Sequence, residues 1–226
     1  MRILKLLIGQ TVAFFVLFAL CLFLPAGSLT WPAGWVFLIL FFGFFVGVNS
    51  WLLKHNPGLV EERLSLGRAD QKGWDKVFFP LLLAASLAWL AFIAFDASRF
   101  HWSPVPAWLP GIGALTLLGS FALLFLTFRE NSFLSTVVRI QEERGHAVVS
   151  SGPYHYLRHP MYAGILLFVI GTSLLLGSGY GVLAGLIYVL ALARRAVLEE
   201  HVLREELQGY EAYMHQVKYR LIPHVW

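Results

Sequence analysis

The 226-residue chain is 58% apolar and only 13% charged, against roughly 25% charge in an ordinary soluble domain, which excludes that class and points to a membrane protein. A single cysteine, Cys21, excludes a disulfide framework and a Cys-based metal cluster. The formal charge of +4 could suit nucleic acid, but the positions of the basic residues follow membrane topology instead.

Apolar runs of about 17 to 25 residues read as membrane spans, and they predict helices near 6–24, 35–53, 77–95, 107–128, 161–176 and 180–198. The first follows Arg2 and Lys5, like a signal peptide. Its apolar stretch to Leu24 is longer than a typical signal core and no Ala-x-Ala site follows, so it reads as a retained span with Cys21 as filler. In the second, Gly43 and Gly47 have GxxxG spacing, which allows close helix approach. Segment 54–76 mixes Pro57, Gly58, Glu61, Glu62, Arg63 and Arg68 with Leu59, Val60, Leu64 and Leu66, the pattern of a short amphipathic helix on the membrane surface.

Gly111-Ile-Gly113 lacks a third glycine at 116 and falls at the end of a span, so no dinucleotide cradle is expected there, and no P-loop occurs. From Met161 to Ala193 the chain has 33 uncharged residues, too many for one crossing at 1.5 Å rise in a core of about 30 Å. Gly177, Gly179 and Gly181 supply a turn and make a helical hairpin, whose second arm continues through about Leu207 until Gly209 stops it. The expected fold is all-α: a polytopic membrane bundle of about six helices in one domain, 1–226. Residues 1–128 hold four spans, and 129–226 hold the polar loop, the helical hairpin and the C-terminal helix.

With these spans, sixteen of the seventeen Lys/Arg residues fall on one side, and Arg99 is the exception. The positive-inside rule then puts both termini and the loops 54–76 and 129–160 in the cytoplasm. The other connections, 25–34, 96–106 and 177–179, are short and rich in Pro, Gly and Trp.

Residues 151–164 read Ser-Gly-Pro-Tyr-His-Tyr-Leu-Arg-His-Pro-Met-Tyr-Ala-Gly, a polar and turn-forming stretch set against the apolar hairpin. The backbone before Pro153 and Pro160 is biased away from helix, and irregular backbone at membrane depth is tolerated where it lines a site. The hairpin returns a second cluster, Arg195, Glu199, Glu200 and Arg204, to the same membrane face, which predicts a pocket between the two. Surface ion pairs at i,i+4, Arg195–Glu199 and Glu200–Arg204, are the competing account, as is snorkelling of Arg195. His155 and His159 have helical zinc spacing, but Pro160 follows at once and no carboxylate lies between them, so no metal is expected. His146 is isolated, and no Gly-x-Ser-x-Gly elbow accompanies a nucleophile.

Ser-Gly-Pro-Tyr at 151–154, Arg-His-Pro-x-Tyr-x-Gly at 158–164, Glu199-Glu200, and the tail Gly209-Tyr210-x-x-Tyr213 through Arg220 and Pro223 resemble the isoprenylcysteine carboxyl methyltransferase and phospholipid methyltransferase family. The resemblance covers about residues 128 to 226. It implies an integral membrane enzyme using S-adenosyl-L-methionine and a lipophilic or prenylated acceptor among membrane lipids, without metal or nucleic acid. Its implied cofactor-binding residues are Arg139, Gln141, His146, Ala147, Val148, Val149, Gly152, Tyr154, Arg158, His159, Pro160, Met161, Tyr162, Glu199 and Glu200. Glu200 would be the acidic cofactor contact, and Arg158 or His159 would pair with the methionine carboxylate. Arg195 and Glu199 are the catalytic candidates: an arginine orients a carboxylate acceptor, whereas an amine acceptor needs a base. Carboxyl O-methylation of an isoprenylcysteine-like substrate is the leading expectation. Lipid-amine N-methylation, an NADPH-dependent reductase similar to membrane sterol reductases, and a non-catalytic membrane protein are the alternatives.

Overall fold

The computed structural model describes residues 2–65 and 70–226, so Leu66 and Arg68 of the expected surface helix lie outside the described residues. Among the described residues eight α-helices follow in order: α1 Arg2–Ala26, α2 Pro32–His55, α3 Pro57–Leu64, α4 Asp75–Ala94, α5 Leu109–Glu130, α6 Pro160–Leu176, α7 Gly179–Glu206 and α8 Tyr210–Gln216. A π-helical turn, Phe95–Phe100, extends α4, and no strand forms among the described residues beyond an isolated bridge between Pro104 and Ser178. Among the described residues, five helices are long and apolar enough to cross a bilayer, and the chain is an integral membrane protein.

A helix forms at each of the six expected positions, and five of them are of membrane-spanning length. The fifth is shorter than the rest: α6 has 17 residues, about 26 Å at 1.5 Å per residue. Its limits are chemical, since Pro160 occupies the first helical position and Gly177 ends the helix in the left-handed region at φ 88°. Ser178 then caps α7 by accepting from the Gly181 N–H and donates to the buried Asp96. The expected long second arm runs to Glu206, and Gly209, at φ 87°, starts α8.

The surface is inverted relative to a soluble protein. Side chains such as Ile39 and Leu115 are 70% exposed, as suits contact with lipid tails. Inside, Leu22, Phe37, Ile93, Leu117 and Leu176 fill one core shared by α1, α2, α4, α5 and α6, with the half-buried Cys21 packed against it.

Backbones approach most closely between α5 and α6. A Cβ added at Gly113 would fall 2.3 Å from the Leu175 nitrogen, and one at Gly171 would fall 2.6 Å from the Leu117 nitrogen. By contrast, a Cβ at Gly43 or Gly47 meets nothing within 4 Å. The GxxxG spacing in α2 therefore does not make the close contact expected of it, because no neighbouring helix lies against that face. Gly171→Ala should accordingly destabilise the protein by about 1–3 kcal/mol through overpacking, while Gly43→Ala should leave it near neutral. Thermal unfolding of both variants in one detergent checks this contrast.

Candidate functional site

The Arg-His-Pro box sits on irregular backbone held by the C-terminal tail. The N–H groups of Arg158 and His159 donate to the carbonyls of Tyr219 and Arg220, both at 2.9 Å. The Arg158 side chain donates through Nε to Glu200 Oε1 at 2.6 Å and through Nη1 to the carbonyls of Val217 and Lys218. Arg220 Nε takes the other oxygen of Glu200 at 2.8 Å. Glu200, on α7, thus ties the box to the tail.

One turn earlier on α7, Arg195 makes a second junction. Its Nε donates to Asp75 Oδ1 at 3.0 Å, its Nη1 to the Tyr162 hydroxyl at 2.8 Å, and its Nη2 to the Thr136 carbonyl at 3.0 Å. Tyr162 in turn donates to Glu199 Oε2 at 2.7 Å. The i,i+4 pairing of Arg195 with Glu199 is replaced by this bridge through one hydroxyl. Arg204 likewise pairs with Glu211 at 3.3 Å.

Loop 131–149 forms the third wall and is braced by α3. Arg139 donates to Glu62 through Nε and Nη2 at 3.0 and 2.9 Å, and also to Glu143 and Asp70. The bonds to Glu62 and then Glu143 raise the Arg139 pKa above its ordinary value, so it is a permanent cation. Ser135 donates to Glu62, Arg63 to the Leu134 carbonyl, and Asn56 to Ser132. Farther along, His146 stacks on Phe133 with ring centres 4.6 Å apart. Burial first, and the Arg139 and Arg144 charges second, lower His146 from its ordinary 6.5 to about 4, so its imidazole is neutral at physiological pH.

These walls enclose a pocket lined by twelve of the expected residues: Arg139, His146, Ala147, Val148, Val149, Tyr154, Arg158, His159, Met161, Tyr162, Arg195 and Glu199. Four others stand behind the lining. Gln141 is fully buried and holds the loop together, donating to the Phe133 carbonyl and accepting from Arg144. Gly152 turns the chain at φ 56° against Glu130, Pro160 opens α6, and Glu200 faces Arg158 and Arg220.

Two buried polar atoms on lining residues are incompletely engaged: the Tyr210 hydroxyl has no hydrogen-bond partner, and His159 Nε2 has only Glu200 nearby. His159 Nε2 comes within 3.3 Å of Glu200 Oε1 without the alignment of a hydrogen bond. Burial, reinforced by the Glu200 charge, raises the Tyr210 pKa above its ordinary value, so the hydroxyl keeps its proton and can donate. Orphaned polar atoms of this kind are costly unless a ligand or water engages them. They suit an anionic group, while Glu199 offers an acceptor for a cation or hydroxyl, and Val148, Leu203 and Leu207 offer an apolar face.

Sequence reasoning missed the braces from the first half of the chain. Glu62 and Asp75 are 1% and 0% exposed, yet they look like solvated charges in a surface segment. The available signal was position: Asp75 stands at the first residue of a membrane helix, where an uncompensated charge is expensive. Among the described residues, no group of three or more potential ligands is arranged for a metal.

Residues 109–208 match the phospholipid methyltransferase family. Protein-S-isoprenylcysteine O-methyltransferase B of Arabidopsis thaliana is 27% identical over 127 residues, 55% of this chain and 62% of that relative. The protein-S-isoprenylcysteine O-methyltransferase of Schizosaccharomyces pombe is 29% identical over 121 residues, 54% and 44% of the two chains. A probable protein-S-isoprenylcysteine O-methyltransferase of Oryza sativa subsp. indica is 32% identical over 83 residues, 36% and 44%. The match spans less than two thirds of each of these relatives. The family resemblance expected from the motifs is borne out.

The lowered pKa of His146 gives stability a definite pH dependence. As pH falls, the unfolded chain protonates this group first, so its contribution is intact above about 6.5 and is lost between 6.5 and about 4. His146→Phe, which preserves ring stacking and removes the titration, should flatten that part of the profile. Chemical denaturation of both proteins across this pH range is the measurement.

Proposed function

With residues 109–208 matching the phospholipid methyltransferase family, we propose that this protein transfers a methyl group from S-adenosylmethionine to a lipophilic acceptor within the membrane. The carrying observation is the pocket closed by the Arg-His-Pro box and the α7 acids, where the Tyr210 hydroxyl has no hydrogen-bond partner and His159 Nε2 has only the Glu200 carboxylate at 3.3 Å. The donor, when bound, supplies a methyl already activated by its sulfonium. His159 and Tyr210 would hold the donor's carboxylate, and Glu199 would accept from its ammonium or ribose. Arg158 and Glu200 keep the box and the tail in register. Positioning and exclusion of water then carry most of the catalytic work. By the distribution of Lys and Arg, the pocket and both termini face the cytoplasm.

The preferred acceptor group is a carboxylate, as in the isoprenylcysteine substrates that the relatives' names specify. Arg195 lines the pocket with donors left over beyond Asp75, Tyr162 and Thr136, and would orient an anionic oxygen without the need for a base. An apolar groove between α4 and α7, lined by Phe78, Leu81, Leu82, Trp89, Ile187 and Tyr188, would take the hydrocarbon part. Leu82 and Tyr188 share a core cluster with Met161 and Tyr162, so the groove's inner end adjoins the polar pocket.

The test is to incubate membranes containing the protein with methyl-labelled S-adenosylmethionine and extract the lipids. Alkali-labile label is expected, as in a methyl ester; alkali-stable label would assign a methylated amine instead, and no incorporation would remove the methyltransferase reading. In calorimetric titration with the donor, Tyr210→Phe should weaken affinity about tenfold, the effect of losing one charge-assisted hydrogen bond. His159→Ala should weaken it at least as much. Unchanged affinity in both would move the donor site elsewhere, and binding of NADPH in place of the donor would favour a reductase.

A further inference from the structure

We propose that Asp75 is a positioning residue for the acceptor side of this site, acting through Arg195; the inference rests on the methyltransferase reading above. Asp75 does not line the pocket. It is inaccessible to solvent at the first residue of α4, and both of its oxygens are engaged. Oδ1 accepts from Arg195 Nε at 3.0 Å, while Oδ2 accepts from the Val138 N–H at 2.8 Å and from Gln71 Nε2 at 3.1 Å. One carboxylate thereby joins α4, α7 and loop 131–149.

Geometry gives this junction a purpose beyond cohesion. A guanidinium is planar and rigid, so fixing Nε on Asp75 and Nη2 on the Thr136 carbonyl sets the plane of the whole group and directs Nη1 to Tyr162. Arg195 and Tyr162 both line the pocket. Asp75 also supplies the negative charge that lets Arg195 remain a buried cation without drawing Glu199 into a direct ion pair. Glu199 stays one hydroxyl away, on Tyr162. Two turns farther along α4, Leu82 lines the apolar groove, so the helix that anchors Arg195 also forms a wall for the acceptor's hydrocarbon part.

The experiment uses the full chain in lipid nanodiscs, with S-adenosylhomocysteine for donor-site affinity and N-acetyl-S-farnesylcysteine as a carboxylate probe. Asp75→Asn should lower kcat at least tenfold while changing the S-adenosylhomocysteine Kd less than threefold. Asp75→Glu should recover part of the loss. Because Asp75 acts through Arg195, Asp75→Asn combined with Arg195→Lys should be no worse than the poorer single variant. Equal losses of turnover and donor affinity, or additive effects in the double variant, would overturn the proposal.

A second readout needs neither turnover nor a folded Asp75 variant. In protein labelled with 15N-arginine, the Arg195 Nε–H signal, assigned by its loss in Arg195→Lys, should exchange slowly with solvent. Exchange as fast as in an exposed arginine overturns the proposal by itself. A wild-type protein that methylates no acceptor overturns the functional reading instead, and the Nε–H signal still decides the role of Asp75 toward Arg195.

Discussion

Three arginines almost sealed from solvent, Arg139, Arg158 and Arg195, hold the walls of the pocket because each meets a carboxylate buried as deeply as itself. Their partners are Glu62, Glu200 and Asp75. Taking a charge out of water costs several kcal/mol, and removing one member of a buried pair typically costs about 3–5 kcal/mol. The pairs therefore constrain the arrangement strongly. An apolar contact would tolerate sliding, whereas a guanidinium held at fixed nitrogens does not. Glu62 comes from α3, Asp75 from α4 and Glu200 from α7, so three separate helices are referred to one cavity.

The same constraint explains why irregular backbone can exist beside the short helix α6. Its start at Pro160 leaves Arg158 and His159 with main-chain groups that no helix satisfies. The tail supplies the missing partners: the carbonyls of Tyr219 and Arg220 accept from these residues, and Tyr213 donates to the Tyr154 carbonyl. Because Arg220 also reaches Glu200, the tail is fixed by charge as well as by backbone pairing. The tail thus contributes to the cavity, and its Tyr-x-x-Tyr spacing places Tyr210 and Tyr213 in the lining.

The spans were legible because an uninterrupted apolar run of membrane length has few other ways to fold, whatever its neighbours. The meeting of the box with α7 followed from length alone, since 33 uncharged residues must turn back. Interior partnerships were less legible. Glu61 and Glu62 are adjacent and chemically alike, yet Glu61 is exposed and Glu62 is sealed against Arg139. Only the docking of α3 on loop 131–149 separates them. Gly43 and Gly47 carried the stronger helix-packing spacing, whereas the tight approach occurs at Gly113 and Gly171, because a small residue permits contact but the partner helix decides whether contact is made.

Tyr162 is where these constraints become useful chemistry. A direct ion pair between Arg195 and Glu199 would engage both charged groups with one another. Instead, one phenol accepts from the arginine and donates to the acid, so the charges stay near enough to compensate and each keeps capacity for another partner. Asp75 makes this separation stable by compensating Arg195 from behind. Toward the box, the neighbouring groups suit a zwitterionic donor; toward α4, the wall becomes apolar at Leu82 and Tyr188. A cation and an acid held one hydroxyl apart at that boundary can engage a polar head while its hydrocarbon tail remains in the membrane.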